Sequence, residues 1–297
     1  MTELKVSEEK QIEKKRSPWF FIPTQYFVSG IPFVIVNQLS AAMFKSLGAS
    51  TVFIGFTSLL YIPWAIKLFW GPLIDSYGTK RSWSVFLQLA MAICFAALAL
   101  TVQLPEVIVI ALVIFTIIAF LSASYDIATD GFYLNALDKG DQAFFTGIRS
   151  TFYRLATIVA GGLLVKFAGD IGEKTGVISA GWSAAFGMAA ILFFVLFFYH
   201  KFILPKPITD VGVKSDSNKI PYAKIFKTYF QQENIAIILF FILFYRFGEG
   251  LMLKMAIPFF MDKPAVGGLG LTVSDVGVMY GTFGILALTI GGILGGI

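Results

Sequence analysis

Charged residues are scarce in this chain of 297 residues, since Asp, Glu, Lys and Arg together make up only 14% of the sequence. A soluble domain of ordinary composition carries roughly 25% charged residues. The apolar residues instead reach 57%, and 32 residues are phenylalanine. The chain has too few polar side chains to cover a soluble surface, so the composition indicates an all-α polytopic membrane protein.

Cysteine and histidine are almost absent, with Cys94 and His200 as the single residue of each type. One cysteine cannot form a disulfide within the chain, and the two residues together cannot supply the ligands of a Cys/His zinc site. A Ser/His/Asp triad would have to use His200, which ends an apolar run. We therefore expect no metal site, no bound cofactor and no enzymatic activity.

Long apolar runs dominate the rest of the sequence. A helix needs about 20 largely apolar residues to cross a hydrocarbon core of about 30 Å. Eight segments meet this requirement, near residues 19–43, 50–70, 83–104, 106–137, 143–168, 177–200, 234–260 and 274–297. The chain ends in TIGGILGGI, within an uncharged run. We therefore expect a longer protein, of which this chain is the first part.

The basic residues lie mainly in alternate connections between these segments, which predicts a cytoplasmic N-terminus. One long polar connection separates the first six segments from the last two. The pattern predicts a cytoplasmic tail (1–18), a six-helix bundle (19–200), a cytoplasmic linker (201–233) and the start of a second bundle (234–297). Basic loops facing an anionic leaflet account for the net charge of +5, so no nucleic-acid partner is expected.

Two aspartates, Asp126 and Asp130, stand four positions apart near the end of the fourth segment, on one face of a helix. The fourth and fifth segments are antiparallel, so Asp126 is at the depth of Arg154 and Asp130 at the depth of Arg149. Because an unpaired charge is costly in a bilayer, two ion pairs are predicted. Two interpretations remain open. Either the ion pairs only hold the two helices together, or their carboxylates also bind a proton or a solute.

The seventh segment contains another pair of opposite charges, Arg246 and Glu249, which are close enough to interact within one helix. Glycine or proline interrupts the first helix of each predicted bundle. Corresponding interruptions are typical of a binding site between two bundles. We therefore predict helix hinges at Gly30, Pro32, Gly248 and Gly250.

Three lysines near the ends of apolar segments have a simpler interpretation. Lys67, Lys166 and Lys254 are expected to extend their ammonium groups to the membrane interface. Gly161 and Gly162 of the fifth segment, and the glycine pairs that begin at position 291 in the eighth, are expected to form close helix contacts.

The most specific motif is GPLIDSYGTKR, residues 71–81, between the second and third segments. A glycine permits close packing of the helix end, an aspartate stands near helix termini, and a second glycine permits a turn. Two basic residues hold the loop at the cytoplasmic face. The residues concerned are Gly71, Asp75, Gly78, Lys80 and Arg81.

This loop resembles the G-x-x-x-D-x-x-G-x-[KR]-[KR] motif of the major facilitator superfamily, whose members have twelve helices in two bundles. Within that family, SASYDIATD (residues 122–130) is similar to the AmpG-type muropeptide permeases and their acetyl-CoA transporter relatives. The resemblance extends over about residues 26–297. It implies that Asp126 and Asp130 act in proton-coupled uptake and that Lys67 matches a lysine of the family.

The resemblance implies a secondary active transporter that takes up a muropeptide-like or related solute by alternating access, with protons as the coupling ion. A carrier of another anionic solute, such as an acyl-CoA or a sugar acid, remains an alternative, as does a membrane sensor without transport. Expected partners are the lipid bilayer and a small solute, with a monomer in a bacterial inner membrane. Candidate coupling acids are Asp126, Asp130 and Glu249, and candidate ion-pair or solute-binding cations are Arg149, Arg154, Arg246 and Lys67.

Overall fold

The computed structural model describes residues 16–210, 227, 228 and 230–294, except for the side chains of residues 242, 243, 246–251, 253, 288, 289 and 292–294. Every regular element in this part of the chain is a helix. Six of the helices are long and apolar enough to cross a membrane. The architecture is that of an all-α polytopic membrane protein, as the composition predicts.

The helices follow the eight predicted segments. Their bounds are Pro18–Ser46 (α1), Thr51–Phe69 (α2), Lys80–Thr101 (α3), Val107–Ala136 (α4), Lys139–Thr175 (α5) and Ile178–Ile203 (α6). Then come Ile235–Met261 (α7) and residues 273–294 (α8), which comprise Val273–Val276, a π-helical stretch Gly277–Gly284 and Ile285–Leu294. Helix α5 exceeds its predicted segment at both ends because polar turns continue the helix beyond the apolar run.

The predicted boundaries between tail, bundles and linker are only partly covered. Residues 1–15 of the tail and residues 211–226 and 229 of the linker lie outside the described residues. The side chains of Arg246 and Glu249 also lie outside them, as does the surrounding of Gly248 and Gly250. The domain boundaries, the pair in α7 and the side of the membrane on which the chain begins therefore stay predictions.

Helix α4 illustrates why these segments fold as membrane helices. Val109, Val113, Ile117 and Phe120 recur every three or four positions and are exposed, whereas Phe115 on the opposite face is buried. An exposed apolar stripe of this kind would be unfavourable in water but is suited to lipid. Helix α1 differs, because 78% of its most apolar stretch is buried against 33% for α4. It therefore runs through the interior of the bundle.

Helices α5 and α8 approach each other closely through glycine. A Cβ added to Gly162 would lie 2.2 Å from the Thr282 hydroxyl, and one added to Gly281 would lie 1.8 Å from the carbonyl oxygen of Gly161. The close contact predicted at Gly161 and Gly162 is thus confirmed. At Gly291 an added Cβ would meet nothing within 4 Å among the described residues, and the surroundings of the other glycines in these pairs lie outside them, so that prediction stays open. Helix α8 contacts α5 through Gly281, which lies in the π-helical stretch Gly277–Gly284.

The loop between α2 and α3 is held by its own motif residues. The Lys80 ammonium group pairs with the Asp75 carboxylate, and Gly78 has a φ of +69°, which favours glycine. Gly71 begins a short helix, Gly71–Ser76. The close packing predicted at Gly71 is wrong, because an added Cβ would only reach Ile127 at 3.8 Å, an ordinary contact.

The start of α3 is also tied to the end of α6. The Asp210 carboxylate accepts hydrogen bonds from the backbone N–H groups of Lys80 and Arg81, at 2.7 and 2.9 Å, and so satisfies donors that the helix leaves free. The Arg81 guanidinium donates to the carbonyl oxygens of Lys201 and Leu204, at 2.6 and 3.1 Å. The motif therefore fixes the positions of the loop after α2, the start of α3 and the end of α6 relative to one another.

Candidate functional site

A cavity of about 550 Å³ lies between α1, α2, α4 and α5, with one residue of α8 at its wall. It lies toward the C-terminal ends of α2 and α4 and the N-terminal half of α5. Eleven of its twelve lining residues carry a polar or charged group, although the surrounding segments are apolar. The lining residues are Tyr26, Ser29, Gln38, Lys67, Asp126, Asp130, Arg149, Ser150, Tyr153, Arg154, Thr157 and Ile285.

Asp130 lies between helices α1 and α5. The Tyr26 hydroxyl donates to its Oδ1 at 2.8 Å, and a guanidinium nitrogen of Arg149 lies 3.4 Å from the same oxygen. Arg149 also donates to the Tyr26 hydroxyl at 3.1 Å, and its guanidinium lies 5.3 Å and 5.1 Å from the ring centres of Tyr26 and Tyr133. The predicted pair of Asp130 and Arg149 is present in the structure.

Asp126 has partners other than the predicted one. The Ser29 hydroxyl donates to its Oδ1 at 2.5 Å, and the Lys67 ammonium nitrogen lies 3.9 Å from its Oδ2. No ion pair joins Asp126 and Arg154, both of which are described, so that prediction is wrong. Successive helical residues are rotated by about 100°, so Arg149 and Arg154, five positions apart, point in directions about 140° apart. Equal depth therefore does not bring both arginines to the aspartate face.

Lys67 approaches Asp126 from an irregular part of α2. Its last turn, Lys67–Phe69, is a 3₁₀-helix after Ile62–Ile66. The expectation that the Lys67 ammonium extends to the interface is therefore wrong, since this group lines the cavity. The side chain is 38% exposed, and Asp126 is 17% exposed, so the pair is accessible from the cavity.

The other two lysines also have partners within the protein. Lys166 pairs with Asp170 one turn along α5. Lys254 is only 6% exposed, and its ammonium group donates to the carbonyl oxygen of Asn37 at 2.9 Å. Asn37 belongs to a π-helical turn of α1, Ile35–Leu39. The expectation of an interfacial ammonium group is wrong for Lys254, because α1 provides a nearer acceptor. For Lys166, whose side chain is 44% exposed and whose partner lies in its own helix, it stays a prediction.

Gly30 positions α1 against α5 beside the two aspartates. A Cβ at this position would lie 2.8 Å from the Cβ of Ala156 and 2.9 Å from the carbonyl oxygen of Tyr153. The glycine thus permits a close approach of α1 and α5, which carry Tyr26 and Arg149, the two partners of Asp130. Pro32 lies inside α1, which continues past it as a helix. A hinge at either residue stays a prediction.

Charges in the cavity do not balance. Lys67, Arg149 and Arg154 face two carboxylates, Asp126 and Asp130. Arg154 is exposed and takes part in none of the ion pairs of the described residues. The arrangement can exchange protons at the carboxylates, and it leaves one guanidinium available to an anionic group.

Tyr26 and Ser29 were missed by the sequence predictions, although both contact the aspartates. A signal was present, because two hydroxyl-bearing residues stand three positions apart in an apolar segment and so share one helix face. Gln38 continues the polar face into the π-helical turn of α1 and also lines the cavity. Polar spacing in α1 would have indicated this wall of the cavity.

Contacts between α1, α5, α7 and α8 close the opposite end of the helices. The Lys45 ammonium, near the end of α1, lies 2.5 Å from the Asp262 carboxylate, which follows α7. The Ser274 hydroxyl, at the start of α8, donates to Asp170 of α5 at 2.6 Å. The cavity thus lies on one side of a contact layer that joins α1 and α5 to α7 and α8.

Residues 24–297 match the model of the Major Facilitator Superfamily. The chain belongs to this family. The match covers all eight helices with the exception of the first turns of α1. The resemblance that the loop motif indicates is therefore confirmed over nearly the whole chain.

Individual relatives in the superfamily include proteins that carry the AmpG name. The chain is 25% identical over 284 residues to AmpG 4 of Rickettsia conorii, covering 91% of this chain and 64% of that protein. It is 27% identical over 279 residues to the anhydromuropeptide permease of Escherichia coli K12, covering 91% of this chain and 53% of the permease. The chain thus spans less than two thirds of the length of these relatives.

Proposed function

We propose that the full-length protein is a secondary active transporter that couples proton movement to the uptake of a muropeptide-like or related solute. The observation that carries this proposal is the pair Asp126 and Asp130, which share one polar cavity within an apolar bundle. Ionisable groups at such positions are functional candidates because their burial is otherwise unfavourable. Membership of the superfamily and the name of the Escherichia coli permease support the same function.

The geometry suggests how protons would act. Asp126 joins α4 to α1 and α2, and Asp130 joins α4 to α1 and α5. Protonation would remove the charge that attracts Lys67 and Arg149 and would weaken these contacts between helices. The population of helix arrangements would then change, which is the requirement of alternating access.

The lining of the cavity suits a polar solute of moderate size. Hydroxyl and amide groups from Tyr26, Ser29, Gln38, Ser150 and Thr157 can donate to or accept from sugar and peptide groups. Tyr153 adds an aromatic face, which packs against apolar faces of a sugar ring. An amino sugar linked to a short peptide therefore fits the chemistry of the lining.

The topology of this proposal places the N-terminus on the cytoplasmic side of a bacterial inner membrane. The cavity, near the start of α5, would then open toward the cytoplasm, and the Lys45–Asp262 contact would lie on the outer side. We further propose a monomer with six helices in the first bundle, a linker at residues 201–233 and a second bundle that begins at residue 234. The hinges at Gly30, Pro32, Gly248 and Gly250, and coupling through Glu249, belong to the same proposal.

Uptake by the full-length protein in proteoliposomes tests the function directly. Anhydromuropeptides, free amino sugars and short peptides would be offered with and without an imposed inward proton gradient. We expect accumulation of a sugar-peptide conjugate that depends on the gradient and stops with a protonophore. Accumulation that a protonophore leaves unchanged would contradict proton coupling, and failure of every conjugate would contradict the solute class.

Arg154 favours a second candidate, a carrier of another anionic solute such as a sugar acid or an acyl-CoA. The cavity holds three cations and two carboxylates, so one cation has no carboxylate partner there. Competition of acyl-CoA or sugar acids with the conjugate would distinguish the two candidates. If the solute is anionic, Arg154→Gln should raise its KM about tenfold or more, the loss of one charged hydrogen bond of roughly 1.5–3 kcal/mol.

A further inference from the structure

Apart from the cavity, a set of polar side chains is buried between α1, α3, α4 and α6. His200 of α6 is fully buried, and both of its ring nitrogens have neighbours. Nε2 lies 2.8 Å from the Thr24 hydroxyl of α1, and Nδ1 lies 2.8 Å from Oε1 of Gln88 of α3. These contacts join three helices at one level of the bundle, and none of the three residues lines the cavity.

Two residues of α4 lie near the same level. Helices α1 and α4 run antiparallel and touch where the Tyr26 hydroxyl meets Asp130. Gln25, the neighbour of Tyr26 in the chain, is therefore close to the level of Thr129. Tyr125 stands one turn from Thr129 on the same buried face of α4. Buried polar side chains at about this depth thus come from all four helices.

Most of these side chains lack a hydrogen-bond partner for at least one polar atom. Gln25 and Gln88 are 0% exposed, and Tyr125 and Thr129 are each 1% exposed. If the nitrogen and oxygen of the Gln88 side-chain amide were interchanged, the oxygen instead of the nitrogen would lack a hydrogen-bond partner. The atoms concerned are Gln25 Nε2 and Oε1, Gln88 Nε2, Tyr125 Oη and Thr129 Oγ1, of which the last two are close enough to interact but do not form a regular hydrogen bond.

We propose that internal water molecules occupy this polar layer and satisfy these atoms. Buried polar groups in proteins nearly always have a partner, and a buried water typically makes about three hydrogen bonds to groups that would otherwise lack one. Donors and acceptors are both present here, as two amides and two hydroxyl groups, so each water can both accept and donate. The set contains no carboxylate, which makes it unsuited to a metal ion.

This water site is independent of the proposed transport function. It depends only on burial and unsatisfied polar atoms in the first six helices, and it does not involve Asp126, Asp130 or their cations. Loss of transport would leave it intact, and a dry layer would not affect the assignment of the carboxylates.

Radiolytic footprinting of the full-length protein tests the proposal. X-ray pulses convert water to hydroxyl radicals, which oxidise the side chains beside that water before they diffuse away. Oxidation rates would be measured by mass spectrometry and divided by the intrinsic reactivity of each residue type. Phe95 and Phe193 are matched dry controls, because both are 0% exposed and their rings pack 5.0 Å apart.

We expect Tyr125 and His200 to be oxidised several times faster than Phe95 and Phe193 after normalisation. Rates for Tyr125 and His200 no higher than those of the two phenylalanines would overturn the proposal. The test uses the unmodified protein, so it does not depend on the folding of a variant.

The change in Tm caused by Gln25→Leu is a second test, because a hydrated layer and a dry layer predict changes of opposite sign. In a hydrated layer, the leucine removes hydrogen bonds that the waters use, so the Tm should fall. In a dry layer, the leucine replaces an unsatisfied amide by an apolar group of similar size, so the Tm should rise. A rise in Tm would contradict the proposal.

Discussion

The two aspartates of α4 have different environments although they share one helix face. Asp126 contacts a serine hydroxyl and a lysine, whereas Asp130 contacts a tyrosine hydroxyl and an arginine. Arg149 is further oriented by two aromatic rings. Each aspartate thus has one hydroxyl partner and one cationic partner, and the Asp126–Lys67 pair, at 3.9 Å, is looser than the Asp130–Arg149 pair, at 3.4 Å.

Asp126→Asn and Asp130→Asn should each reduce proton-driven uptake by the full-length protein to the level of empty vesicles. Asparagine keeps the size of the side chain and can accept the same hydroxyl hydrogen bond, but it cannot take up and release a proton. The Tm should change little because the helix contacts are retained in part.

Asp141→Asn is the control for these variants. Asp141 lies in the first turn of α5 and does not line the cavity. Its uptake should remain close to that of the unmodified protein. Full proton-driven uptake in both cavity variants would exclude the aspartates from coupling.

The residues of the site were predicted better than their contacts. Charge within an apolar segment identified Asp126, Asp130 and Arg149, because such residues are unfavourable in lipid unless the interior needs them. The pairing of Asp126 was wrong because depth alone does not specify direction around a helix. Lys67 was misjudged because its place near the end of an apolar segment does not show that its side chain points to the cavity.

At the scale of elements, the helices were predictable and their irregularities were not. A run of about 20 apolar residues is sufficient to predict a membrane helix. Three π-helical stretches, Ile35–Leu39, Val159–Leu163 and Gly277–Gly284, interrupt α1, α5 and α8. They change the hydrogen-bond register without changing composition, so hydropathy carries no signal for them. The last two pack directly against each other through glycine.

Gly281→Ala should destabilise the contact between α5 and α8. The added Cβ would lie 1.8 Å from the Gly161 carbonyl oxygen, and backbone atoms cannot move away cheaply. Overpacking of this kind costs about 1–3 kcal/mol, so the Tm of the full-length protein should fall.

Gly291→Ala is the matched control in the same helix, since an added Cβ would meet nothing within 4 Å in the part of the chain that the structure describes. Alanine favours a helix over glycine by roughly 0.5–1 kcal/mol, so its Tm should be unchanged or slightly higher. Equal Tm values for the two variants would show that the α5–α8 contact contributes nothing to stability.

Over the whole molecule, a polar cavity near one end of the helices is opposed by a closed contact layer near the other. Lys45 and Asp262 connect α1 to the end of α7, and Asp170 and Ser274 connect α5 to the start of α8. In the proposed cycle this layer must separate when the cavity opens to the other side. The sequence could not indicate it, because the partners are more than 100 positions apart and each stands alone in a loop or helix end.

Lys45→Glu should weaken the closed layer by placing two carboxylates together, and Lys45→Glu combined with Asp262→Lys should restore the attraction with reversed charges. In the single variant, a cysteine introduced at Ser29 in a Cys94→Ala background should react faster with an impermeant thiol reagent added outside. In the double variant the reaction should return toward that of the starting protein. Identical rates in all three proteins would contradict a role of this pair in closing the outer side.

The proposed function depends most on protons moving with the solute through the cavity that contains Asp126 and Asp130. The most direct measurement is the pH inside proteoliposomes that contain the full-length protein and a trapped pH-sensitive dye, recorded after solute is added outside. We expect acidification of the interior in step with solute uptake, and none with Asp126→Asn combined with Asp130→Asn. Solute uptake without any change of internal pH in the unmodified protein would contradict it.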